Sequence, residues 1–362
     1  LSRLSLDLFK LEGGSWASWL LMTVGALTII LAVMMALVQK DYKKLLSYHA
    51  ISQVGYMVLG IGTMVPAGII GGLFHMINNA LYKSCLFLTG GAVEKEAGTT
   101  DIDRLGGLGR QMPITFACFI IAALSISGVP PFNGFFSKEL VYDGALERNI
   151  VFYVIAVLGS FFTAASFLKL GHAVYLGSGS GKKVKEAHWT LLVPMIVIAA
   201  VCLLFGFFNV LPVKYLLQPI VGATRLEGRE FFGWPANIWL VVVTGLVLLG
   251  ALANHWYGVK KSGKGAGAVD HIHYAPLLHQ SYDLAEKKAF DPYEWGMKFA
   301  AWLAGLLYRC DRAVDWLYDG LIVNGTAFCS RRISAWQNGN VSRYVVWAMA
   351  GAALLIFYVV RF

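Results

Sequence analysis

The sequence predicts an all-α polytopic membrane protein, and three observations carry that prediction. The 362-residue chain is 57% hydrophobic and 14% charged, with a mean hydropathy of +0.61, whereas soluble domains carry about 25% charged residues. Apolar stretches of about 20 residues, enough to cross a bilayer as a helix, recur along its length. The loops between them alternate between basic and uncharged or mixed, the pattern of a chain threaded repeatedly through a membrane. The net charge of +9 therefore reports topology. A lipid bilayer is the expected surroundings and no nucleic acid is an expected partner.

Residues 1–15 are short and mixed in character; with no initiator methionine and no signal peptide, they read as the end of a preceding region. Spans are expected at 16–38, 46–64, 67–93, 113–143, 150–176, 188–209 and 235–257, with an eighth at 343–361. The second is the weakest, because Ser47, His49, Ser52 and Gln53 occupy its first turns. Lys40, Lys43 and Lys44 follow the first span, Arg104 and Arg110 the third, Lys182, Lys183 and Lys185 the fifth, and Lys260, Lys261 and Lys264 the seventh. Arg331, Arg332 and Arg343 precede the last. By the positive-inside rule these loops are cytoplasmic.

Two spans are expected to be irregular. In the fourth, Gly128-Val-Pro-Pro131 and Gly134 fall in mid-span, and paired prolines break a helix, freeing backbone groups that must find partners. Asn78-Asn79 suggests a distortion of the third. Residues 16–176 thus form a five-span body and 177–277 add two spans with their loops. Residues 278–337 interleave Trp295, Phe299, Trp302, Leu306 and Leu317 with Lys298, Arg309, Asp311 and Arg312. That is an amphipathic helix lying along a surface, reaching on the order of 90 Å if continuous, with interruptions expected at Gly320 and Asn324-Gly325. Residues 338–362 anchor the end.

The chemistry lies in charges that a membrane helix should avoid. Lys83 sits inside the apolar run 67–93, with His75 and Asn79 eight and four residues earlier, near one stripe of a helix. An ammonium at mid-membrane costs about 2.5–3.5 kcal/mol on insertion scales. Snorkelling to Glu94-Lys95-Glu96 would take about 15 Å, too far for one side chain. Lys138 and Glu139 follow the Pro-Pro break, and Lys169 lies near the end of the fifth span with His172 three residues on. Lysines whose proton affinity is tuned by burial and neighbours, together with an imidazole, are the parts of a proton relay.

Other patterns carry no chemistry. Cys85, Cys118, Cys202, Cys310 and Cys329 are scattered without metal-site or cluster spacing. The run 177–183 lacks the Ser/Thr of a phosphate-binding loop and is a flexible linker. His271 and His273 have no third ligand nearby. Asn324-Gly-Thr326 is a glycosylation sequon by pattern only, and no serine has an orienting acid for a catalytic triad. No metal site and no cofactor-binding site are expected.

Three motifs in order give a family resemblance. They are Ala36-Leu-Val-Gln-Lys-Asp-Tyr-Lys-Lys-Leu-Leu-Ser-Tyr48 with Ser52-Gln-Val-Gly-Tyr56, Phe74-His-Met-Ile-Asn-Asn-Ala-Leu-Tyr-Lys83, and Ser127-Gly-Val-Pro-Pro-Phe-Asn-Gly-Phe-Phe-Ser-Lys138-Glu139. The chain resembles the antiporter-like proton-translocating subunits of respiratory complex I, relatives of multi-subunit cation/proton antiporter and membrane-bound hydrogenase subunits. The tail, with Asp315-Trp-Leu-Tyr-Asp319, resembles the distal subunit with its lateral helix and final anchor. The resemblance implies that 16–176 is the second of two inverted five-helix repeats, with the first repeat absent. It implies a proton relay through Lys83, His75, Lys138 and Glu139. A second family histidine falls at Asn79, while Lys169 and His172 are further candidates. The implied activity is that of a proton-translocating NADH:quinone oxidoreductase with no redox centre in this chain. Flavin, iron–sulfur clusters and quinone would lie in partner subunits. The implied partners are other membrane-arm subunits, with the lateral helix against neighbouring antiporter-like subunits. A hydrogenase or antiporter complex, moving H⁺ or Na⁺, is the alternative.

Overall fold

The computed structural model describes residues 1–178, 183–262, 274, 279–337 and 339–361. Among them it shows helices and their connections, with an isolated antiparallel bridge between Asp41 and Asp101. The linker at 179–182 and His271 and His273 lie outside the described residues. The chain divides into two units, Leu1–Pro292 and Tyr293–Phe362.

In the first unit α1 (Trp16–Leu37) starts where the Ser15 hydroxyl accepts the Ser18 N–H, and α2 (Tyr42–Gly62) where the Asp41 carboxylate accepts that of Lys44. Asp41 is why α2 begins four residues before the expected span: its cap satisfies an otherwise orphaned amide. The two helices meet backbone to backbone, since a Cβ on Gly55 would lie 2.8 Å from the Gly25 carbonyl. α3 (Pro66–Ala97) opens with a proline, whose missing N–H is harmless there, and closes on left-handed Gly98. It runs unbroken for 32 residues, so the distortion expected at Asn78-Asn79 does not occur.

The expected fourth span is two half-helices, α4 (Pro113–Ser127) and α5 (Asn133–Arg148). Gly128, at φ +81, turns the chain out of α4, and Val129 N–H donates back to the Leu124 carbonyl at 3.0 Å, a Schellman closure. Asn78 then clasps the restart: its Nδ2 donates to the Asn133 carbonyl at 2.9 Å, and Asn133 Nδ2 donates to Asn78 Oδ1 at 3.0 Å. The residue expected to bend α3 instead supplies partners to the broken helix.

α6 (Ile150–Gly171) continues into a wider turn at His172–Leu176. After α7 (Trp189–Phe207) come a second wide turn at Leu211–Leu217 and two short pieces, α8 (Gln218–Val221) and α9 (Ala223–Leu226). Then follow α10 (Ile238–Ser262) and α11 (His279–Glu286). One end of the unit gathers the basic loops: Ile102 N–H donates to the Lys40 carbonyl at 2.9 Å, Lys40 pairs with Asp103 at 3.2 Å, and Lys43 pairs with Glu94. There Glu186 accepts the Ile114 N–H at 2.7 Å and the Thr115 hydroxyl at 2.6 Å, capping α4. The opposite end is tied by Arg225 to Asp7 at 2.9 Å and Arg229 to Glu147 at 3.6 Å.

Among the described residues five helices are long and apolar enough to cross a membrane: Trp16–Leu37, Ile150–Leu176, Trp189–Phe207, Ile238–Ser262 and Val341–Arg361. The expected spans 46–64, 67–93 and 113–143 fall outside that set for a physical reason. α2 and α3 bury His49, Gln53, His75, Asn78 and Lys83, and the fourth span is two pieces, each too short.

The second unit contains α12 (Pro292–Asp315, its first residue closing the first unit), a wide turn at Trp316–Ile322, α13 (Val323–Trp336) and α14 (Val341–Arg361). None of these elements has a buried residue. Trp336 stacks on Trp347 with centroids 5.5 Å apart, joining α13 to α14. The expected interruptions are corrected: Gly320 lies within the wide turn and Asn324-Gly325 within α13, so the path stays helical. The break comes earlier, at 287–291, where Lys288 takes φ +57 and Asp291 precedes a proline.

Candidate functional site

Lys83 is 6% exposed and its Nζ donates to the Leu46 carbonyl of α2 at 2.7 Å. The partner is a neutral backbone oxygen, so the ammonium has a hydrogen bond without a fixed counter-charge. His75, one face along α3, is fully buried between two helices. Its Nδ1 lies 3.0 Å from Ser137 Oγ of α5, and its Nε2 lies 3.1 Å from Gln53 Oε1 of α2 and 3.3 Å from Tyr82 Oη. Both ring nitrogens thus face oxygens, so the imidazole can hold a proton on either side or on both.

Lys138, on α5 just after the break, is 1% exposed. Its Nζ donates to Ser160 Oγ of α6 at 2.9 Å and stands 5.0 Å from the Tyr56 ring centre, a favourable cation–π contact. Ser160 is shared: Tyr142 Oη lies 2.5 Å and Tyr56 Oη 3.0 Å from its hydroxyl, and Tyr56 donates to the Ala156 carbonyl at 2.6 Å. The lysine's chain passes the break itself, since a Cβ on Gly128 would lie 3.0 Å from Lys138 Cδ.

Glu139 points elsewhere. The Thr244 hydroxyl of α10 donates to Oε1 at 2.5 Å, while Oε2 is buried without a protein partner. The residue lines a cavity of about 450 Å³ with Asp143, Asn209, Arg229, Glu230 and Trp234, toward the end opposite the basic loops. Lys138 and Glu139, adjacent in sequence, therefore engage different helices and form no pair with each other.

The remaining candidates separate. Asn79 is half-buried, with a buried and partnerless Oδ1. Lys169 Nζ donates to the carbonyls of Leu37 at 2.9 Å and Gln39 at 3.4 Å. His172 turns away to α10, its Nδ1 3.3 Å from His255 Nε2, beside an apolar groove lined by Phe116, Leu168 and Leu249. Among the described residues no group of three or more His, Cys, Asp or Glu could hold a metal ion. Cys85, Cys118 and Cys202 are buried, Cys310 and Cys329 exposed, and all are free.

Sequence reasoning missed the connecting groups: His49, Gln53, Tyr56, Tyr82, Ser137, Ser160 and Thr244. One signal was available. The polar residues that weaken span two, His49 and Gln53, recur with Tyr56 at helical spacing. These titratable nitrogens, hydroxyls and the carboxylate form a buried series of separate contacts from α2–α3 to the cavity at the far end. The Tyr56 ring lies 5.5 Å from the His75 ring and 5.0 Å from Lys138 Nζ, while no described hydrogen bond links Lys83 to His75 or Lys138 to Glu139.

Comparison with known proteins agrees with this architecture. Residues 1–163 match the family model described as the transmembrane region of NADH:quinone oxidoreductase/Mrp antiporter proteins. The chain is 34% identical over 302 residues to Na⁺/H⁺ antiporter subunit A1 of Staphylococcus haemolyticus, covering 69% of this chain and 37% of the relative. It is similar to a chain of an archaeal respiratory complex, the membrane-bound sulfane sulfur reductase, with TM-score 0.56 and 27% identity over 98% of this chain and 60% of that one. A chain of respiratory complex I from Thermus thermophilus aligns with TM-score 0.52 and 26% identity, covering 65% and 45%. The chain spans 42%, 37% and 35% of the length of the first three curated relatives it matches. The match over residues 1–163, the broken helix and the helical architecture together make this chain a multi-pass integral membrane protein that resembles antiporter-like subunits.

Proposed function

We propose that the chain translocates protons through Lys83, His75, Lys138 and Glu139, as a membrane subunit of a multi-subunit energy-coupling complex. One observation carries the reading: the buried series ends in a carboxylate with a partnerless oxygen at the wall of a 450 Å³ cavity. A proton from the basic, cytoplasmic end reaches Lys83 and passes by water to the Gln53–His75–Tyr82 group. His75 hands it by way of Ser137 toward Lys138, and Ser160 and water link Lys138 to Glu139, which releases it into the cavity. Each lysine is held by neutral oxygens, so its charge responds to a proton arriving nearby, and low-polarity surroundings strengthen that response.

The driving partner is best read as a redox enzyme. The likeness to the sulfane sulfur reductase chain runs over 98% of this sequence, amphipathic segment included. The NADH:quinone oxidoreductase expected from the motifs is one such assembly, with flavin, iron–sulfur clusters and quinone in its other subunits. The second reading, a Na⁺/H⁺ antiporter complex, is favoured by relatives that are 34% and 31% identical to this chain and are Na⁺/H⁺ antiporter subunits. Purifying the intact complex and identifying its subunits separates the two. In sealed vesicles carrying that complex, Lys83→Met should cut proton translocation at least about a hundredfold, the scale of losing an acid–base group, with assembly intact. Normal translocation by this variant sinks the proposal.

A further inference from the structure

We propose that a second proton-conducting branch follows the α2–α6 interface, with His49 as its proton carrier and Lys169 at its entrance. It rests on the translocation reading above and adds a route to it. On α2, Leu46, His49, Gln53 and Tyr56 fall on one face. Leu46 holds Lys83, Gln53 meets His75, and Tyr56 underlies Lys138. His49 is the one member of that face left without a place in the main line. Facing it, α6 buries Ser160, Thr163, Ser166 and Lys169, each 2% exposed or less. They are three residues apart and follow an oblique ridge of the helix. Neighbours on such a ridge sit about 5–6 Å apart between Cβ atoms, a gap that one water bridges.

His49 is fully buried, its Nε2 is 2.8 Å from Ser166 Oγ, and Phe167 packs against its ring at 4.9 Å. Its Nδ1 is buried without any protein partner, the mark of a site for water. The imidazole lies within electrostatic reach of both Lys83 and Lys138. At the basic end, Lys169 is bound to the carbonyls of Leu37 and Gln39. Gln39 also lines a cavity of about 700 Å³ with Lys44, Ser47, Tyr48 and Glu286. Protons entering there pass Lys169 to Ser166 and His49, then by Thr163 to Ser160 and Lys138; the two lines serve successive steps of one cycle, so blocking either slows turnover. At His49 one ring nitrogen takes up a proton while the other releases one to its neighbour; this leaves the ring neutral in its other tautomer, and a ring flip or a return proton transfer resets it before the next passage.

The test compares His49→Gln, Ser166→Ala and Lys83→Met in sealed vesicles holding the assembled complex, reading proton translocation and subunit assembly. His49→Gln keeps a partner for Ser166 but cannot exchange a proton; it should slow translocation about tenfold or more and raise the solvent deuterium isotope effect, with assembly unchanged. Ser166→Ala should slow it a few-fold. Wild-type rates in His49→Gln beside an inactive Lys83→Met overturn the branch and leave the main line standing. Wild-type rates in both overturn the translocation reading itself. If His49→Gln does not assemble, Ser166→Ala decides alone, and an unchanged rate overturns the branch.

Discussion

Ser160 ties three helices to one ammonium: Lys138 of α5 donates to it, and Tyr56 of α2 and Tyr142 of α5 reach the same hydroxyl. Ser160→Ala leaves Lys138 with the Tyr56 ring as its remaining described contact. An unmet buried polar group costs about 1–3 kcal/mol, so the variant should melt earlier in detergent and translocate poorly. Lys138→Arg asks a sharper question. It keeps the positive charge, but a guanidinium does not release its proton in a protein, so translocation should stop while the complex assembles. If Lys138→Arg translocates normally, Lys138 serves as a fixed charge and not a carrier. At this scale the sequence was half legible. Lys83, His75 and Lys138 stood out because each is costly in an apolar run, whereas Ser137, Ser160 and Tyr56 belong to types common in membrane helices. Only the fold shows which of many serines faces a lysine. His49 was legible in principle, as a polar group at helical spacing from Gln53, but was read as a weakness of its span.

Two elements make the site possible, and each combines a legible part with a hidden one. The break between α4 and α5 was evident from Gly128-Val-Pro-Pro131, because prolines lack donors and clash with the preceding turn. Its partner was hidden: Asn78 lies 55 residues from Asn133 in sequence. Asn78→Ala removes both bonds of the clasp and should destabilise the chain by about 2 kcal/mol, measured as a lower melting temperature. Gly128→Ala places a side chain at φ +81 and against Lys138 Cδ. A left-handed non-glycine residue costs about 1–2 kcal/mol, and the displaced lysine should lower translocation as well. A Gly128→Ala chain with unchanged melting and activity would show that the break tolerates a Cβ. In the amphipathic segment the weaker helix-breaking signals misled. Gly320 and Asn324-Gly325 cost about 1 kcal/mol or less each inside a helix, which a long helix absorbs. Asp291-Pro292 was the stronger signal, because the residue before a proline is pushed out of helical geometry.

For the whole molecule, the direction of the proposed translocation depends on which end faces the cytoplasm, and that rests on charge. The basic end carries Lys40, Lys43, Arg104, Arg110, Lys183 and Lys185, held together by contacts among the α1–α2, α3–α4 and α6–α7 connections. The other end holds Glu139's cavity and the Arg229–Glu147 pair. Reading span order and loop charge together gave this two-ended layout from sequence alone, because basic residues resist crossing the membrane during insertion. The cavity stayed out of reach, since residues 209–237 are joined to α5 only by the fold. The layout predicts opposite accessibility for two introduced thiols. With Cys310 and Cys329, the exposed native thiols, replaced by serine, Glu230→Cys should react with a membrane-impermeant maleimide added to intact cells. Lys183→Cys should react only after the membrane is opened or inverted. Labelling of Lys183→Cys in intact cells would reverse the orientation. The Glu139 cavity would then be the cytoplasmic mouth, and the same series of residues would carry protons from Glu139 toward Lys83.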